Sequence, residues 1–322
     1  MSLSEFELID RYFRRPARSA RVGIGDDAAL LAPTPGFELA ISTDMLVEGR
    51  HFLPGAEPEA LGHKTLAVNL SDLAAMGARP RWALLAGALP DADPAWLEAF
   101  ARGFFALADA HGVELVGGDT TRGPRNLCVT IVGEVPAGEA LLRSGARIGD
   151  DIYVSGRLGD AALAVAQHRG RIALARDELA HCQVTLSRPT PRVRLGERLR
   201  GLATAAIDIS DGLTGDLGHV LAASHAGATV DLAAVPRSSV LERRLAGAER
   251  ALALECLLAG GDDYELCFTA PTEAAARVRA LASELGSALT RIGTIAAEPR
   301  LVVRDERGYG LALPRAFDHF AS

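Results

Sequence analysis

Six short acidic segments constrain the architecture of this 322-residue chain, because most of them directly follow a run that is typical of a β-strand. They are GIGDDAA (23–29), STD (42–44), NLSDLAAMGA (69–78), GGDTTRG (117–123), DISDG (208–212) and GGDDYEL (260–266). Carboxylates gathered at strand ends disfavour one another's ionisation unless a cation lies among them. The neighbouring Gly, Ser and Thr residues leave room for such a cation. The pattern therefore predicts a hard divalent cation, Mg²⁺, that carries a phosphate group.

The bulk properties indicate a globular protein with two domains. A chain of 322 residues suits two α/β domains of about 150 residues each. The net charge of −7 and a pI near 5.7 argue against a nucleic-acid partner, which would require a basic face. The first residues lack the pattern of a signal peptide, and the longest stretch without charged side chains, 217–230, is too short to cross a membrane. Four scattered cysteines are typical of a reducing compartment, so we expect a cytoplasmic protein without a membrane partner.

Hydrophobic periodicity predicts strands that alternate with helices, which is typical of an α/β fold. The predicted strands are 37–42, 113–119, 126–135, 151–156, 205–210 and 264–270. The predicted helices are 3–14, 58–77, 94–112, 159–170, 190–200, 215–224 and 271–286. The first strand is expected to place Thr43 and Asp44 at its end, and the second to run into a glycine turn. Turn residues in 136–151 predict a junction between a domain at 1–140 and one at 141–322.

Two common nucleotide-binding motifs are excluded. GIGDDA (23–28) has the form of the dinucleotide fingerprint, but Asp26 and Asp27 would lie where a pyrophosphate needs N–H donors. Lys64 is the only lysine, and no P-loop precedes it. Phosphate contacts are therefore expected from metal, backbone N–H groups and arginines such as Arg122 and Arg143.

The remaining acidic residues predict metal-assisted phosphoryl transfer. Six carboxylates are available, which suggests more than one Mg²⁺ ion: Asp27, Asp44, Asp72, Asp119, Asp208 and Asp211. The helix at 58–77 places Asn69 and Asp72 on one stripe, either as a polar pair in a pocket or as an exposed edge. An obvious general base is missing, which suits an acceptor that is itself a phosphate and is already ionised near pH 7. His51 could donate a hydrogen bond to such an acceptor.

Taken in order, the motifs resemble those of the thiamine-monophosphate kinases. The matching segments include GIGDDAALL, ISTDMLVEGRHF, HKTLAVNLSDLAAMGARP, VGGDTTRGP, RSGARIGDDIYVSG, AIDISDGL, GGDDYELCF and FDHFA, and they extend from about residue 4 to residue 321. The resemblance implies ATP-dependent phosphorylation of thiamine monophosphate to thiamine diphosphate by direct in-line transfer, with several Mg²⁺ ions and no catalytic side chain. It also implies an aminoimidazole-ribonucleotide-synthetase-like fold and a homodimer. In that fold an N-terminal domain of sheet and helices (α+β) binds metal and ATP and pairs across the dimer. A C-terminal α/β domain completes the active site.

The resemblance also assigns roles to individual residues. It implies the following metal ligands: Asp27, Ser42, Thr43, Asp44, Asp72, Asp119, Asp208 and Asp211. It implies the following contacts to ATP: Gly118, Asp119, Arg143 and Ser210. It implies that His51, Asp262 and Phe317 contact thiamine monophosphate, with Phe317 stacking on its rings. The family often has Glu in place of Asp262 and Tyr in place of Phe317.

Two alternatives come from different classes. The first is another ATP-using enzyme of the same superfamily; a selenophosphate-synthetase-like enzyme would carry a reactive residue near its N-terminus, whereas the first cysteine here is Cys128. The second is a non-catalytic protein that binds Mg²⁺ and nucleotide. Turnover of thiamine monophosphate distinguishes both alternatives from the kinase.

Overall fold

The computed structural model describes residues 4–314 and divides them into two compact units. The N-terminal unit comprises residues 4–73 and 78–138, and the C-terminal unit comprises residues 74–77 and 139–314. Each unit is built from one sheet with accompanying helices, which confirms the predicted two-domain α/β class. Among residues 4–314, no helix combines the length and the apolar character that crossing a lipid bilayer requires.

The sheet of the N-terminal unit has four strands in the order β1-β4-β2-β3. The strands are β1 (Phe37–Val47), β2 (Arg79–Leu89), β3 (Glu114–Arg122) and β4 (Asn126–Pro136). β4 runs antiparallel to both of its neighbours, whereas β2 and β3 are parallel and are joined through a helix, as a parallel pair requires. β1 and β3 are therefore the edge strands of this sheet.

Two long helices accompany this sheet, α2 (Pro58–Ala75) and α3 (Pro94–His111). α3 begins behind Asp93, whose side chain accepts the amide N–H of Ala95 at 3.0 Å, and it ends at Gly112 in the left-handed conformation. Both ends of α3 therefore have residues that are typical of helix termini, an aspartate N-cap and a glycine C-cap. At the N-terminus the short helix α1 (Glu5–Leu8) continues as a π-helical turn over Ile9–Phe13.

The two faces of the N-terminal sheet are covered unequally. On one face Trp82 and Val132 are buried under residues of the 20–31 segment. Register places Ile41 of β1 in the same row and on the same face as these two residues. Towards β1 that face is open, and the alternate residues Phe37, Leu39, Ile41 and Met45 are 40%, 40%, 64% and 51% exposed. An edge strand thus presents an apolar row to its surroundings.

The sheet of the C-terminal unit has six strands in the order β10-β7-β9-β5-β8-β6. The strands are β5 (Asp151–Ser155), β6 (Ala205–Ile209), β7 (Gly227–Asp231), β8 (Glu265–Ala270), β9 (Leu289–Ala296) and β10 (Leu301–Arg304). The helices are α4 (Asp160–His168), α5 (Arg176–Ser187), α6 (Val193–Leu199), α7 (Leu213–Ser224), α8 (Ser239–Leu245), α9 (Arg250–Ala259) and α10 (Ala275–Leu285). The apolar sides of the sheet and of these helices form a large core.

Two sequence-based predictions about strand ends are wrong. β1 does not end at residue 42 but continues to Val47, because it pairs with β4 along its whole length. The glycine turn predicted after 113–119 is also absent, since β3 continues through Gly117 and Gly118 to Arg122 and pairs with β2. Asp44 and Asp119 therefore lie inside strands rather than in loops. The pairing partner β2, which decides this for β3, was not among the predicted strands.

Candidate active site

Strand β1 and helix α2 bring several predicted metal ligands together. Alternation along the strand points Ser42 and Asp44 to the same face, and the Ser42 hydroxyl donates a hydrogen bond to the carboxylate of Asp72 on α2. The amide N–H of Asp44 donates to Oδ1 of Asn69 at 3.1 Å. Asn69 is itself held in place, because its Nδ2 donates to the carbonyl oxygen of Thr65 at 3.1 Å. The polar pair Asn69 and Asp72 therefore faces β1, and because Asn69 is buried the pair is not an exposed edge of the helix.

Thr43 lies on the opposite face of β1. Its hydroxyl is hydrogen-bonded to the hydroxyl of Thr130 on β4, with the two oxygens 2.8 Å apart. The side chains of Ser42 and Thr43 thus point away from each other, because successive residues of a strand alternate. Thr43 can contribute to a site on the α2 face only through its backbone atoms.

A cavity of about 580 Å³ in the N-terminal unit joins two of the acidic segments. Asp26 and Asp27 line it from the first segment, and Gly118 and Asp119 line it from β3. The lining also includes apolar and aromatic residues, among them Phe13, Trp96 and Phe100. The rings of Trp96 and Phe100 stack with centroids 5.0 Å apart. The volume and the mixture of an apolar wall with a few polar groups are typical of a small-molecule site.

Gly118 permits the backbone geometry at this cavity. Its φ is +148°, and a Cβ atom built on it would lie 1.8 Å from the carbonyl oxygen of Leu85 on β2. Only a residue without a side chain allows β3 to come this close to β2. The position of Asp119, the next residue, depends on this close approach.

His51 follows β1 in a tight turn. Its amide N–H donates to the carbonyl oxygen of Val47, and its Nδ1 accepts the amide N–H of Val47, both at 3.0 Å. Because Nδ1 is an acceptor, the ring proton of neutral His51 is on Nε2. The half-buried ring is therefore arranged as a hydrogen-bond donor through Nε2.

The C-terminal unit places two acidic loops side by side. Asp208 is buried near the end of β6, and the 209–212 turn leads from this strand into α7. The amide N–H of Asp262 donates to the carbonyl oxygen of Ser210 at 2.9 Å, so the 260–264 loop packs on this turn. A Cβ atom on Gly261 would lie 2.3 Å from the same carbonyl oxygen, which explains the glycine. Ser210, Asp211 and Asp262 are thus neighbours in one unit.

The 260–264 loop has an unusual backbone. Asp262 and Tyr264 have φ values of +70° and +50°, a region that non-glycine residues seldom occupy. The Tyr264 hydroxyl donates to Oδ1 of Asp262 at 3.2 Å, which holds this carboxylate within the loop. Strain of this kind persists only where the surrounding contacts determine the conformation, and it is concentrated at functional sites.

Two buried carboxylates next to these loops were missed by sequence reasoning. Asp216 accepts the amide N–H groups of Ser210 and Asp211 through Oδ2, each at 3.0 Å. Burial raises the pKa of Asp216 to about 7, against the opposing effect of these amide N–H groups. Asp263 accepts the amide N–H of Gly159, and burial raises the pKa of this carboxyl well above its usual range. Neither residue stands out by type or spacing among the many acidic residues of the chain.

The structure does not place Arg143 beside Ser210 within the C-terminal unit. The carbonyl oxygen of Arg143 accepts a hydrogen bond from the hydroxyl of Ser224, the last residue of α7. Ser210 precedes the other end of that helix, and 12 residues of helix separate the two ends by about 17 Å. The remaining predicted substrate contact, Phe317, lies outside the described residues.

The donor atoms fit Mg²⁺ better than a softer metal. The predicted ligands offer only carboxylate, hydroxyl and carbonyl oxygens, which are the ligands Mg²⁺ prefers. Within residues 4–314, no group of three His, Cys, Asp or Glu side chains is placed to hold a metal together.

Comparison with known proteins gives a consistent result over both units. Residues 25–135 match the family described as AIR synthase related protein, N-terminal domain, and residues 147–306 match the corresponding C-terminal domain. The chain is 48% identical over 330 residues to the thiamine-monophosphate kinase of Escherichia coli strain K12, covering 100% of both.

Solved structures agree with this. The thiamine-monophosphate kinase of Stenotrophomonas maltophilia K279a superposes with a TM-score of 0.85 at 49% identity, covering 97% of this chain and 99% of that one. AaThiL complexed with AMPPCP and TMP superposes with a TM-score of 0.78 at 30% identity, covering 90% of this chain and 89% of that one. The acidic segments thus lie in a chain that is related to these kinases over its whole length, and it belongs to the thiamine-monophosphate kinase family.

Proposed function

We propose that this protein transfers the γ-phosphoryl group of ATP to thiamine monophosphate and forms thiamine diphosphate. The observation that carries the proposal is its family membership over the full chain, which includes a relative solved with AMPPCP and TMP. AMPPCP is an ATP analogue with a non-cleavable β–γ bridge, so that complex is a substrate-like pair. The acceptor is a phosphate whose oxygen is already ionised, which is consistent with a site rich in acidic residues and without an evident general base.

We assign the cavity of the N-terminal unit to ATP. Its apolar lining suits the nucleotide base, and its acidic residues Asp27 and Asp119 suit a metal-bound phosphate chain. Mg²⁺ ions at the carboxylates would neutralise the charge that the two phosphate-bearing substrates bring together. Gly118 exposes the backbone of β3 at the cavity, and we propose that it contacts the nucleotide. Arg143 and Ser210 remain proposed nucleotide contacts, and because they lie at opposite ends of α7 they would meet different parts of it.

The remaining metal ligands keep their proposed roles. The Ser42 hydroxyl is hydrogen-bonded to Asp72 on α2, and Asp44 lies two residues further along the same face of β1, so we propose that these three residues share a metal site. We propose that Thr43 adds a backbone oxygen. The C-terminal unit contributes Asp208 and Asp211 from the end of β6 and the turn after it.

We propose that His51 and Asp262 bind thiamine monophosphate, with Phe317 as a stacking residue. The Nδ1 atom of His51 accepts a backbone N–H, so its Nε2–H is the group that donates to the acceptor phosphate. The carboxylate of Asp262 complements the positive charge of the thiazolium ring. Both residues therefore bind and orient the acceptor, and neither needs to remove a proton.

Turnover is the direct test. The full chain is incubated with ATP, Mg²⁺ and thiamine monophosphate, and thiamine diphosphate is quantified by chromatography, with an EDTA-treated sample as control. We expect equimolar ADP and thiamine diphosphate, and we expect EDTA to abolish both. ATP binding without product would favour the non-catalytic alternative, whereas ADP release that requires another acceptor would favour a different enzyme of the superfamily.

Replacement of Asp262 by Glu tests the acceptor site. Because the longer carboxylate is common in this family, we expect the KM for thiamine monophosphate to stay within about twofold of wild type or to fall. The matched variant Asp262→Asn keeps the size but loses the charge, and it should raise this KM roughly tenfold, ~1.4 kcal/mol. A large increase for Asp262→Glu alone would mean that the loop geometry, and not the charge, governs binding.

We propose that the protein is a homodimer that pairs through β1. The strand is an edge strand, and its row of exposed apolar residues is unusual for a surface that faces only water. If the two-fold axis of the dimer lies beside this edge strand, the apolar row of one subunit is covered by the same row of the other subunit.

The four cysteines are free thiols, in keeping with our further proposal that the enzyme works in the cytoplasm.

A charge in the middle of the β1 row should disrupt this dimer. Ile41 is 64% exposed, and Ile41→Lys would bury an uncompensated ammonium group at the interface. We expect light scattering to report the 33.8 kDa of one chain for this variant and twice that mass for wild type. Val184 on α5 is 60% exposed and serves as a matched control. Val184→Lys should keep the dimer; if Ile41→Lys is also dimeric, β1 is not the interface.

A further inference from the structure

Asp216 lies beneath the turn that carries Ser210 and Asp211. It belongs to the first turn of α7, and only 3% of its surface is exposed. Its Oδ2 reaches back along the chain and accepts the amide N–H groups of both residues at 3.0 Å. One carboxylate oxygen thus binds two successive amides just before the helix.

This position is one where an anion is normally expected. A turn between a strand and a helix N-terminus presents backbone N–H groups and the positive end of the helix dipole, and both favour a phosphate. Here the amides of Ser210 and Asp211 point to Asp216, inside the protein. A substrate phosphate cannot use the same two N–H groups while Asp216 accepts them.

The other side of the turn is fixed as well. The carbonyl oxygen of Ser210 accepts the amide N–H of Asp262 at 2.9 Å. Both polar groups of the Ser210–Asp211 peptide unit, this carbonyl oxygen and the amide N–H of Asp211, are therefore hydrogen-bonded within the protein. These hydrogen bonds use backbone groups of Ser210 and Asp211, so we expect their side chains to contact a ligand at this turn. A hydroxyl and a carboxylate suit a cation or its bound water, not a bare phosphate.

We infer that Asp216 is a positioning residue that acts as an internal hydrogen-bond acceptor, holds the amides of Ser210 and Asp211 inward, and makes this turn cation-binding instead of phosphate-binding. The inference rests on the proposed function only in taking Asp211 as a metal ligand. Carboxylates that orient ligand-bearing groups in this way commonly change metal affinity by 10- to 100-fold when they are replaced.

The test uses Mn²⁺ as the probe and the full chain without substrates. Asp216→Asn keeps the shape but replaces one carboxyl oxygen by an NH₂ group, which cannot accept, and Asp216→Ala removes the acceptor. Titration followed by electron paramagnetic resonance gives the Mn²⁺ dissociation constant, and hydrogen exchange reports the amides of residues 210 and 211. We expect Asp216→Asn to weaken Mn²⁺ binding about tenfold and to accelerate exchange at these amides, with larger effects for Asp216→Ala.

Asp150 provides a matched control in the same unit. It is 4% exposed and accepts the amide N–H of Arg147 at 2.9 Å and the hydroxyl of Thr204 at 2.6 Å. Asp150→Asn should lower thermal stability but leave the Mn²⁺ dissociation constant within twofold. The inference is overturned if Asp216→Asn, which should fold, binds Mn²⁺ within twofold of wild type, or if Asp150→Asn weakens binding equally. Neither readout requires turnover, so failure here is distinct from failure of the kinase assignment.

Discussion

Asp44→Asn is expected to lower kcat/KM for thiamine monophosphate about 10³-fold, ~4 kcal/mol of transition-state stabilisation. The substitution keeps the side-chain size but removes the negative charge of Asp44, which lies on the same face of β1 as Ser42. The fold should be retained, because Asn has the size of Asp and the backbone of residue 44 keeps its pairing with Val129 and its hydrogen bond with Asn69. Initial rates over a series of Mg²⁺ concentrations give the measurement.

The Mg²⁺ series separates a ligand from a structural residue. If Asp44 binds metal, the concentration of Mg²⁺ required for half-maximal activity rises together with the loss of rate. The exposed Asp91 is the matched control, and Asp91→Asn should stay within about twofold of wild type. Activity above one tenth of wild type for Asp44→Asn at saturating Mg²⁺ would remove Asp44 from the metal site.

Gly118→Ala is expected to cost about 3 kcal/mol or more in the free energy of unfolding and to abolish activity. The new Cβ would lie 1.8 Å from the carbonyl oxygen of Leu85, and the residue would have to hold a φ of +148°. Both β2 and β3 would have to move apart beside the cavity, and Asp119 would move with β3. Urea unfolding followed by circular dichroism gives the stability.

The adjacent glycine supplies the control for stability. A Cβ on Gly117 would meet Cδ2 of Leu84 at 3.4 Å, which is an ordinary contact with the end of a side chain. Gly117→Ala should therefore change the free energy of unfolding by less than about 1 kcal/mol. Equal losses for the two variants would show that the close approach to Leu85 is not the reason for glycine at 118.

Helices were more predictable than strand ends. The α3 prediction of 94–112 nearly coincides with Pro94–His111, because Pro94 and Gly112 are local signals that act on the helix itself. β1 and β3 were cut short because the Asp and Gly residues near the predicted ends, Asp44 and the Gly117–Asp119 run, are depleted in strands and were interpreted as turn signals. Pairing with β4 and β2 overrides that preference, and pairing with a distant strand is not visible in a local pattern.

The candidate site likewise combines features that local sequence patterns predict with features that only long-range contacts determine. The type and order of the acidic segments predicted an oxygen-rich phosphate site, and the facing of Ser42 towards Asp72 agrees with that expectation. The role of Asp216 could not be predicted, because its importance comes from which amides it binds, and not from its neighbours in the sequence. Likewise, nothing in the motif RSGARIGDD indicates that Arg143 lies at the far end of α7 from Ser210.

The amino-acid sequence by itself determined the α/β class, the family and the kind of chemistry, because periodicity, residue type and motif order are local properties that survive without coordinates. The tertiary structure alone decided which acidic residues are neighbours and which way their side chains and amides point. Strand pairing turned Thr43 away from Ser42, and the packing of the 260–264 loop placed Asp262 beside Ser210. These arrangements arise from hydrogen bonds and close contacts between residues far apart in the chain, and such contacts exist only once the sheets have formed.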